Sequence, residues 1–408
     1  MTTDTSLDAL SAVPPPSNAT RWLGVGHSDL PGHREAGADA AQRALTGTDP
    51  RLLVVFCSVH RDPAEVLAGI REVAGDVPLI GCSSGGEIAT AGPGRERIVV
   101  TAFGGTGFTV STTFATGAGT RPREAGQAVA QCALGIVDDP NPLLMLLTDG
   151  IAQDQEAIVA GAYSVLGAGV PLIGGAACPD PDLVDFADFR TFQFYGDQVL
   201  NDTVVGAAIT SDGPFGIAVR HGFRKVGDGM IVTRSGNGKV YTLDDKPALS
   251  SYLDRLGAPT EAYRDSAALT EFSRTRPLGV RRRNGEEVRH VGANCSFEDG
   301  SLGSSGELPE GGVLWPMEGD AASMIASAGD AWQACLEELG GTTPIGFLAF
   351  DCALRCNVLG DQVPDEVARM TAASGGLPIA GFYTWGEICR TRGSNGFHHQ
   401  SLAVLAVG

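Results

Sequence analysis

The stretch "LLVVFCSVHRDPAEVLAGIREVAGDVPLIGCS", residues 52–83, decides the fold class of this chain. It begins with a continuous apolar run that has the length of a buried strand. Asp62 can then cap a helix and Pro63 suits its first turn, and apolar residues recur at helical spacing until Gly75 ends the helix. A second apolar run follows. The stretch therefore predicts two parallel strands joined by a helix, the right-handed βαβ unit.

Two further stretches repeat this pattern. One runs from "LLMLLTDG" (143–150) to "VPLIGGAA" (170–177), and the other runs from "IGFLAFDCALR" (345–355) to "LPIAGFYTWGEI" (377–388). Short β-rich runs between the second and third copies are typical of hairpins and meanders. We therefore expect an α/β protein of two related domains, built on βαβ units with covered, largely parallel or mixed sheets.

The first and third copies agree in more than their pattern. When "PLIGCSSGGEI" (78–88) is set over "PIAGFYTWGEI" (378–388), one proline, two glycines, one glutamate and one isoleucine coincide at a constant offset of 300 residues. This agreement suggests two related halves that face a common cleft. We expect a disordered tail over residues 1–22, one domain over residues 23–244 and a second domain over residues 245–408.

The charge of the chain excludes several classes of partner. The 408 residues include 29 Lys and Arg against 48 Asp and Glu, a net charge of −19 at pH 7. A charge of this sign repels phosphate backbones and anionic lipid surfaces, so neither nucleic acid nor a membrane is an expected partner. The N-terminus has no basic and apolar leader, and the nine cysteines form no C-x-x-C pair, which favours reduced thiols in a cytoplasmic protein.

Polar residues follow the predicted strands. Ligands bind beyond the carboxyl ends of parallel strands, where glycines let backbone amides approach, an arginine can hold a carboxylate and an acid can hold an ammonium group. The candidate ligand-binding residues are Ser83, Glu87, Thr148, Asp149, Gly174, Gly175, His221, Arg355, Tyr383, Glu387, Arg390 and His398. The sequence therefore predicts a pocket for a small molecule, with no metal ligands.

An enzymatic alternative depends on Ser83. "GCSSG" (81–85) fits the G-x-S-x-G turn on which α/β-hydrolases hold a nucleophile, but that turn needs a helix directly after the serine. The following "GGEIATAGPGRER" (85–97) does not predict a helix, and Tyr383 replaces Ser83 in the third copy. Cys352 or Cys356 is the other candidate nucleophile. We therefore expect no enzyme, and keep a Ser83 hydrolase as an alternative.

Several motifs together resemble the FIST family, named for F-box and intracellular signal transduction proteins. They are "GCSSGGEI", "LLTDGI", "VPLIGGAACPD", "VRHGFRKVGDGMIVT", "YTLDDKPALSSYL", "FDCALRCNVLG" and "LPIAGFYTWGEI", in the order of a FIST N-terminal domain followed by a FIST C-terminal domain. The resemblance implies a cytoplasmic sensory protein of signal transduction that binds a small ligand, for which amino acids are proposed. Its output would pass to a separate partner such as a histidine kinase.

The resemblance also implies an alternative, because some members are reported to bind haem and to respond to nitric oxide. Haem would need an axial ligand such as histidine. The histidines of the chain are His27, His33, His60, His221, His290, His398 and His399. The chain departs from the family pattern at "FHHQS" (397–401), where His399 stands in place of an expected asparagine. We expect no cofactor, with haem as the alternative.

Overall fold

The computed structural model describes residues 20–408 apart from residues 153, 181, 182, 184, 185, 237, 283, 284, 293, 307 and 392–395. Most of the tail expected over residues 1–22 therefore lies outside the described residues. Helices and strands alternate along the chain, and the sheets are mixed, which confirms the predicted α/β class. No helix in the described part is long and apolar enough to cross a bilayer.

Three units follow one another along the chain and share one plan. Each unit begins with a leading strand and a helix. A first parallel strand, one or two more helices and a second parallel strand follow, and a hairpin and a last strand complete the unit. The elements of unit 1 are β1 (Trp22–Ser28), α1 (His33–Ala44), β2 (Pro50–Ser58), α2 (Pro63–Ala74), β3 (Leu79–Ser84), β4 (Glu87–Ala89), β5 (Gly92–Gly94) and β6 (Ile98–Gly104). The elements of unit 2 are β7 (Phe108–Thr116), α3 (Pro122–Ala130), β8 (Leu143–Thr148), α4 (Gln155–Leu166), β9 (Leu172–Ala176), β10 (Gln193–Tyr195), β11 (Gln198–Leu200) and β12 (Thr203–Ser211).

Unit 3 is interrupted by an insertion directly after its leading strand, β13 (Phe215–Arg220). The insertion contains β14 (Arg224–Lys225), β15 (Met230–Gly236), β16 (Lys239–Leu243), β17 (Lys246–Pro247), α5 (Ala248–Arg255), α6 (Ser266–Ser273), β18 (Leu278–Arg282), β19 (Gly285–Arg289), β20 (Leu302–Gly303) and β21 (Val313–Glu318). The unit then resumes with α7 (Ala321–Glu338), β22 (Gly346–Cys352), α8 (Ala353–Leu359), α9 (Val363–Ala373), β23 (Ile379–Thr384), β24 (Glu387–Arg390), β25 (Phe397–His398) and β26 (Leu402–Val407).

The helix signals of the opening stretch act as the sequence indicates. The side chain of Asp62 accepts hydrogen bonds from the backbone N–H groups of Ala64 and Glu65, which have no partner inside the helix. Gly75 ends α2 with a positive φ of 60°, a conformation that costs glycine little. The βαβ prediction for this stretch is therefore confirmed.

Each unit orders its strands in the same way. The orders are β1–β6–β2–β3 in sheet 1, β7–β12–β8–β9 in sheet 2 and β13–β26–β22–β23 in sheet 3. The two strands of each βαβ unit pair with each other in parallel. The strands on either side of this pair are antiparallel to it. The agreement between the first and third copies of the sequence pattern is therefore part of a threefold repeat that also includes the second copy.

The hairpin of each unit leaves its own sheet and completes another one. Strand β4 pairs with β23, β10 pairs with β3, and β24 pairs with β9, so the exchange closes a cycle among the three sheets. Within unit 2, the parallel pairing of β8 with β9 requires close backbone approach. Gly174 on β9 has a φ of 147°, and a Cβ atom there would lie 1.8 Å from the carbonyl oxygen of Leu146 on β8.

The inner faces of the three sheets pack against one another in one apolar core. Phe56 of sheet 1 meets Phe382 of sheet 3 with ring centroids 4.6 Å apart, and Leu147 and Ile173 contribute from sheet 2. Helices cover the outer faces: α1 and α2 on sheet 1, α3 and α4 on sheet 2, and α7 and α9 on sheet 3. The strands are therefore buried on both faces, which explains their continuous apolar sequences.

The insertion forms a fourth sheet of its own. Its strands are ordered β17–β16–β15–β21–β18–β19, with β14 beside β21 and β20 beside β16. One face packs with α5 and α6 around Tyr252 and Leu314. The expected domain boundary falls in the turn between β16 and β17, where Asp244 and Asp245 have positive φ angles of 49° and 61°.

The exchange predicts that the chain cannot be cut at this turn into two folded parts. Residues 1–244 lack β24 and β25, which complete sheet 2, while residues 245–408 lack β13, β4 and β5 of sheet 3. Each fragment would expose unpaired strand edges, which favour aggregation. We expect neither fragment alone to give a monomeric peak in size-exclusion chromatography or a cooperative melt by circular dichroism, and the co-expressed pair to give both. A single fragment that melts cooperatively as a monomer would contradict this dependence.

Candidate functional site

The carboxyl ends of the parallel strands hold the exchanged hairpins in place. Glu87 begins hairpin strand β4 and its side chain is fully buried. It accepts hydrogen bonds from Ser84 Oγ at 2.5 Å and from the backbone N–H of Arg97 at 2.9 Å. The carboxyl group therefore ties the turn that leaves β3 to the residue before β6, the last strand of the same unit.

Glu387 repeats this arrangement in unit 3. It accepts hydrogen bonds at 2.6 Å from both Thr384 Oγ1 and Ser401 Oγ, and the backbone N–H of Ser401 donates to it at 3.2 Å. Burial raises the pKa of Glu387 to about 7 and the pKa of Glu87 to about 8, although these hydrogen bonds act in the opposite direction. Both candidate residues are therefore engaged within the protein.

In unit 2 an aspartate performs the corresponding task. Asp149 accepts hydrogen bonds from Thr191 Oγ1 at 2.5 Å and from the backbone N–H of Asp202 at 2.8 Å, and so joins the end of β8 to the segments before β10 and β12. Thr148 Oγ1 donates to Gln155 Oε1 at 2.7 Å. Gly174 and Gly175 lie within β9, where β24 pairs with them.

Ser83 lacks the surroundings of a nucleophile. Its side chain is 1% exposed, and Oγ accepts a hydrogen bond from the backbone N–H of Phe192 at 2.8 Å. The strand that carries Ser83 leads to a hairpin, not to a helix, so the amides of a nucleophile elbow are missing at this turn. Burial raises the pKa values of Cys352 and Cys356 well above the ordinary value, which keeps both as thiols. The geometry gives the hydrolase alternative no support.

Three further candidates pack against neighbouring side chains or backbone. His398 Nε2 lies 2.9 Å from the carbonyl oxygen of Cys389, and the Arg390 guanidinium packs over the ring of Tyr163 with Cζ 3.5 Å from its centroid. Tyr383 is 5% exposed, and its hydroxyl has no hydrogen-bond partner among the residues that the structure describes. Burial is the first cause of the lowered pKa of His398.

Two candidates lie next to each other beneath the surface of unit 3. His221 Nδ1 accepts a hydrogen bond from the backbone N–H of Phe223 at 3.0 Å, and burial lowers the pKa of His221 to about 4. The carbonyl oxygen of His221 accepts a hydrogen bond from Arg355 Nη1 at 3.2 Å. Arg355 is fully buried and pairs with Asp351 and Glu366, so its guanidinium does not face a ligand in this conformation.

A cavity of about 270 Å³ lies between the insertion and unit 3, lined in part by Gly222, the residue after His221; we call it the junction cavity. It is lined by Gly222, Arg224, Thr275, Arg276, Glu318, Gly319, Asp320 and Ser323. The insertion supplies Arg224 from β14, Glu318 from β21, and Thr275 and Arg276 from the segment between α6 and β18. Asp320 and Ser323 belong to the first turn of α7, where they form a reciprocal capping box.

The lining of the junction cavity carries charges of both signs. The side chains of Arg224 and Glu318 form an ion pair. The two residues also face each other where β14 pairs with β21. Arg276 packs on the ring of Phe272, with Cζ 4.5 Å from its centroid, and Nη1 donates to Thr275 Oγ1 at 3.1 Å. Two arginines face two carboxylates around this space, so its formal charge is zero.

None of the twelve residues expected from the sequence lines the junction cavity, although His221 and Arg355 lie next to its walls. Its lining residues come from three segments, 222–224, 275–276 and 318–323, which are far apart in the chain. The pairing of Arg224 with Glu318 brings two of them together. A signal existed in the charged residues of "VRHGFRKVGDG" (219–229), but nothing local links them to the other two segments.

Haem does not fit the junction cavity or a second cavity on the insertion. The junction cavity has a charged lining without histidine, and so does a second cavity of about 300 Å³ on the insertion, lined by Leu243, Asp244, Lys246, Ser251, Asp254 and Arg255. An axial ligand would need a histidine facing an apolar space of haem size. The haem alternative therefore finds no support in these residues.

The buried carboxyl of Glu387 predicts a specific pH dependence of stability. Because its pKa is raised to about 7 in the folded chain, its contribution to stability is full below about pH 4 and is lost as the pH rises through about 7. Glu387→Gln keeps the shape of the protonated acid and does not titrate. Between about pH 5 and about pH 8, urea denaturation should show a loss of unfolding free energy that is smaller in the variant, by on the order of 2–3 kcal/mol.

Glu338→Gln, at an exposed position on α7, is the matched control and should leave the pH dependence unchanged. Equal destabilisation of the Glu387→Gln variant at both pH values would mean that Glu387 is ionised in the folded chain.

Relatives of the chain are found among bacteria and archaea. An uncharacterized protein of Mycobacterium tuberculosis, found in strains H37Rv and CDC 1551, is 26% identical over 392 residues, 92% of this chain and 97% of that protein. An uncharacterized protein of Methanocaldococcus jannaschii is 28% identical over 170 residues, 40% of this chain and 32% of that protein. The chain therefore matches about a third of the archaeal protein's length. Among solved structures, PurLQS from Thermotoga maritima aligns with 9% identity over 95% of this chain and 72% of that chain, at a TM-score of 0.23, which supports no argument.

Family models match almost the whole described chain. The FIST N domain matches residues 51–246, and the FIST C domain matches residues 248–390. Both matches occur in the order that the sequence motifs indicate, and together they include the three βαβ units. The chain belongs to the FIST family, whose domains are sensory domains of signal transduction.

Proposed function

We propose that the chain senses a free amino acid, or a closely related zwitterionic metabolite, that binds in the junction cavity. The observation that carries the proposal is the composition of the lining, in which two arginines, two carboxylates and two hydroxyl groups surround about 270 Å³. This volume lies just below the range of about 300–1,000 Å³ that is usual for ligand pockets, which suits a small metabolite. An amino acid, the ligand expected from the family resemblance, carries a carboxylate and an ammonium group, which are complementary to the arginines and carboxylates of the lining.

Arg276 is the proposed carboxylate ligand. Its Nη1 donates to the carbonyl oxygen of Phe272 at 3.3 Å and to Thr275 Oγ1 at 3.1 Å, whereas Nε and Nη2 have no hydrogen-bond partner within the described chain. A guanidinium group offers a planar pair of donors that matches a carboxylate. The packing on Phe272 restricts the side chain, so less conformational entropy is lost when a ligand binds.

Glu318 and Asp320 are the proposed ammonium ligands. Glu318 is partly exposed and already pairs with Arg224, while Asp320 accepts the backbone N–H of Ser323 at 2.8 Å through one carboxylate oxygen. Carboxylates retain free lone pairs in such arrangements and can accept an ammonium group as well. Because the lining is neutral overall, a zwitterion leaves no charge unpaired, whereas a simple anion or cation would.

The position of the junction cavity explains how binding could become a signal. Arg276 and Glu318 belong to the insertion, whereas Ser323 belongs to α7 of unit 3. A ligand that contacts both sides favours the arrangement in which both sets of contacts are made. The proposal includes a separate protein partner, such as a histidine kinase, that responds to this arrangement.

The first test is a thermal-shift screen of the full chain against the twenty protein amino acids, followed by calorimetric titration of every hit. A ligand at about 100 times its dissociation constant adds roughly 2.7 kcal/mol of stability and should raise the melting temperature by several degrees. A flat response across the panel, from a sample that melts cooperatively, would reject the amino-acid proposal.

Substitution of Arg276 tests the assignment of the site. Arg276→Gln removes one charged pair of donors and should weaken binding of a screen hit by roughly 10- to 100-fold, with little change in the unliganded melting temperature. Arg255→Gln is the matched control, since Arg255 is a partly exposed arginine of the insertion that lines the second cavity. Equal affinity of both variants and the unmodified chain would place the ligand elsewhere.

A further inference from the structure

An arginine occupies the same position in units 1 and 3 of the threefold repeat. Arg61 lies three residues after the end of β2, and Arg355 lies three residues after the end of β22. Arg61 Nη1 donates to the carbonyl oxygen of Leu30 at 2.7 Å, and Arg355 Nη1 donates to the carbonyl oxygen of His221 at 3.2 Å. Each arginine therefore holds the chain that leaves the leading strand of its unit.

Arg355 makes further contacts that Arg61 does not have. Its Nη2 donates to the carbonyl oxygen of Met324 at 3.2 Å and reaches Ser327 Oγ at 3.4 Å, so the same guanidinium also holds the first turns of α7. Arg61 also joins two segments, since its Nε and Nη2 donate to the carbonyl oxygen of Glu96. The difference is that the second segment held by the unit 3 arginine is the start of α7.

These two segments are walls of the junction cavity. Gly222 follows His221, and Ser323 precedes Met324, so each carbonyl group that Arg355 holds is one residue away from a lining residue. The walls touch at this point, because a Cβ atom on Gly222 would lie 2.7 Å from the carbonyl oxygen of Ser323. Arg355 therefore holds both walls close to the point where they touch.

The acids around Arg355 fix its position. Asp351 Oδ1 lies 2.8 Å from Nε, Glu366 pairs with Nη2, and all three side chains have no exposed surface. Two carboxyl groups face one guanidinium, and burial together with the neighbouring Glu366 raises the pKa of Asp351 well above its ordinary value. A proton on Asp351 leaves one negative charge beside the guanidinium, so the buried group is neutral.

We propose that Arg355 is a positioning residue of the junction cavity, which sets the spacing of the two cavity walls through the carbonyl groups of His221 and Met324 without contacting the ligand. The effect on ligand affinity rests on the proposed function. The effect on the spacing of the walls is independent of the proposed function, since it follows from contacts within the unliganded chain. Arg355 is a ligand-binding candidate of the sequence, and this role differs from the direct carboxylate contact expected there.

Hydrogen–deuterium exchange of the unliganded full chain tests the proposal. Arg355→Met alone leaves two buried acids without a cation and can prevent folding. The main variant therefore combines Arg355→Met with Asp351→Asn and Glu366→Gln, which removes the guanidinium and both acids together. We expect it to melt cooperatively, and we expect peptides covering residues 221–224 and 319–324 to exchange about tenfold faster than in the unmodified chain.

Arg61→Met is the matched control at the same position of unit 1. It should speed exchange around residues 29–33, next to Leu30, and leave the cavity walls unchanged. If the triple variant melts at a lower temperature while residues 221–224 and 319–324 exchange as in the unmodified chain, Arg355 only stabilises the fold and the proposal fails.

A thermal shift of both proteins with a mixture of the twenty protein amino acids as the probe completes the test. A shift in the unmodified chain that falls in the triple variant supports the positioning role. A shift of equal size and midpoint in both proteins overturns it. No shift in the unmodified chain would reject the proposed function, while the exchange result would still decide whether Arg355 sets the walls.

Discussion

The backbone N–H and C=O groups at the edges of β3, β9 and β23 find their hydrogen-bond partners on hairpins that belong to other units. Buried backbone groups must be paired, so each sheet depends on a segment from elsewhere in the chain. Because the exchange is cyclic, the three sheets cannot separate without breaking these ladders. The shared apolar core and the helices on the outer faces are consequences of this arrangement.

The same exchange explains what the polar residues at the strand ends do. Each crossing hairpin must turn sharply away from its own sheet, and the turn needs partners for its polar groups. Glu87 and Glu387 supply them in units 1 and 3, and Asp149 supplies them in unit 2. A carboxyl group that holds a buried turn is poorly placed to receive a ligand. The site proposed for the ligand lies instead at the junction with the insertion.

The sequence predicted the local structure well, because local structure depends on neighbouring residues. The helix cap at Asp62, the stop at Gly75 and the three βαβ units follow from spacing and residue type. The exchange could not be predicted, since three-residue strands such as β4 have no periodicity that identifies their partner. The junction cavity could not be predicted for the same reason, because the pairing of two strands that are distant in the sequence brings its walls together.

The neutral lining of the junction cavity gains importance from the net charge of −19 on the chain. An anionic metabolite would approach against long-range repulsion, which at physiological ionic strength decays over about 8 Å. A zwitterion carries no net charge, so this repulsion hardly affects its approach. It experiences separate charges only when its two ends lie within reach of Arg276 and Glu318, one near each group. The overall charge and the local pattern of charges therefore favour the same class of ligand.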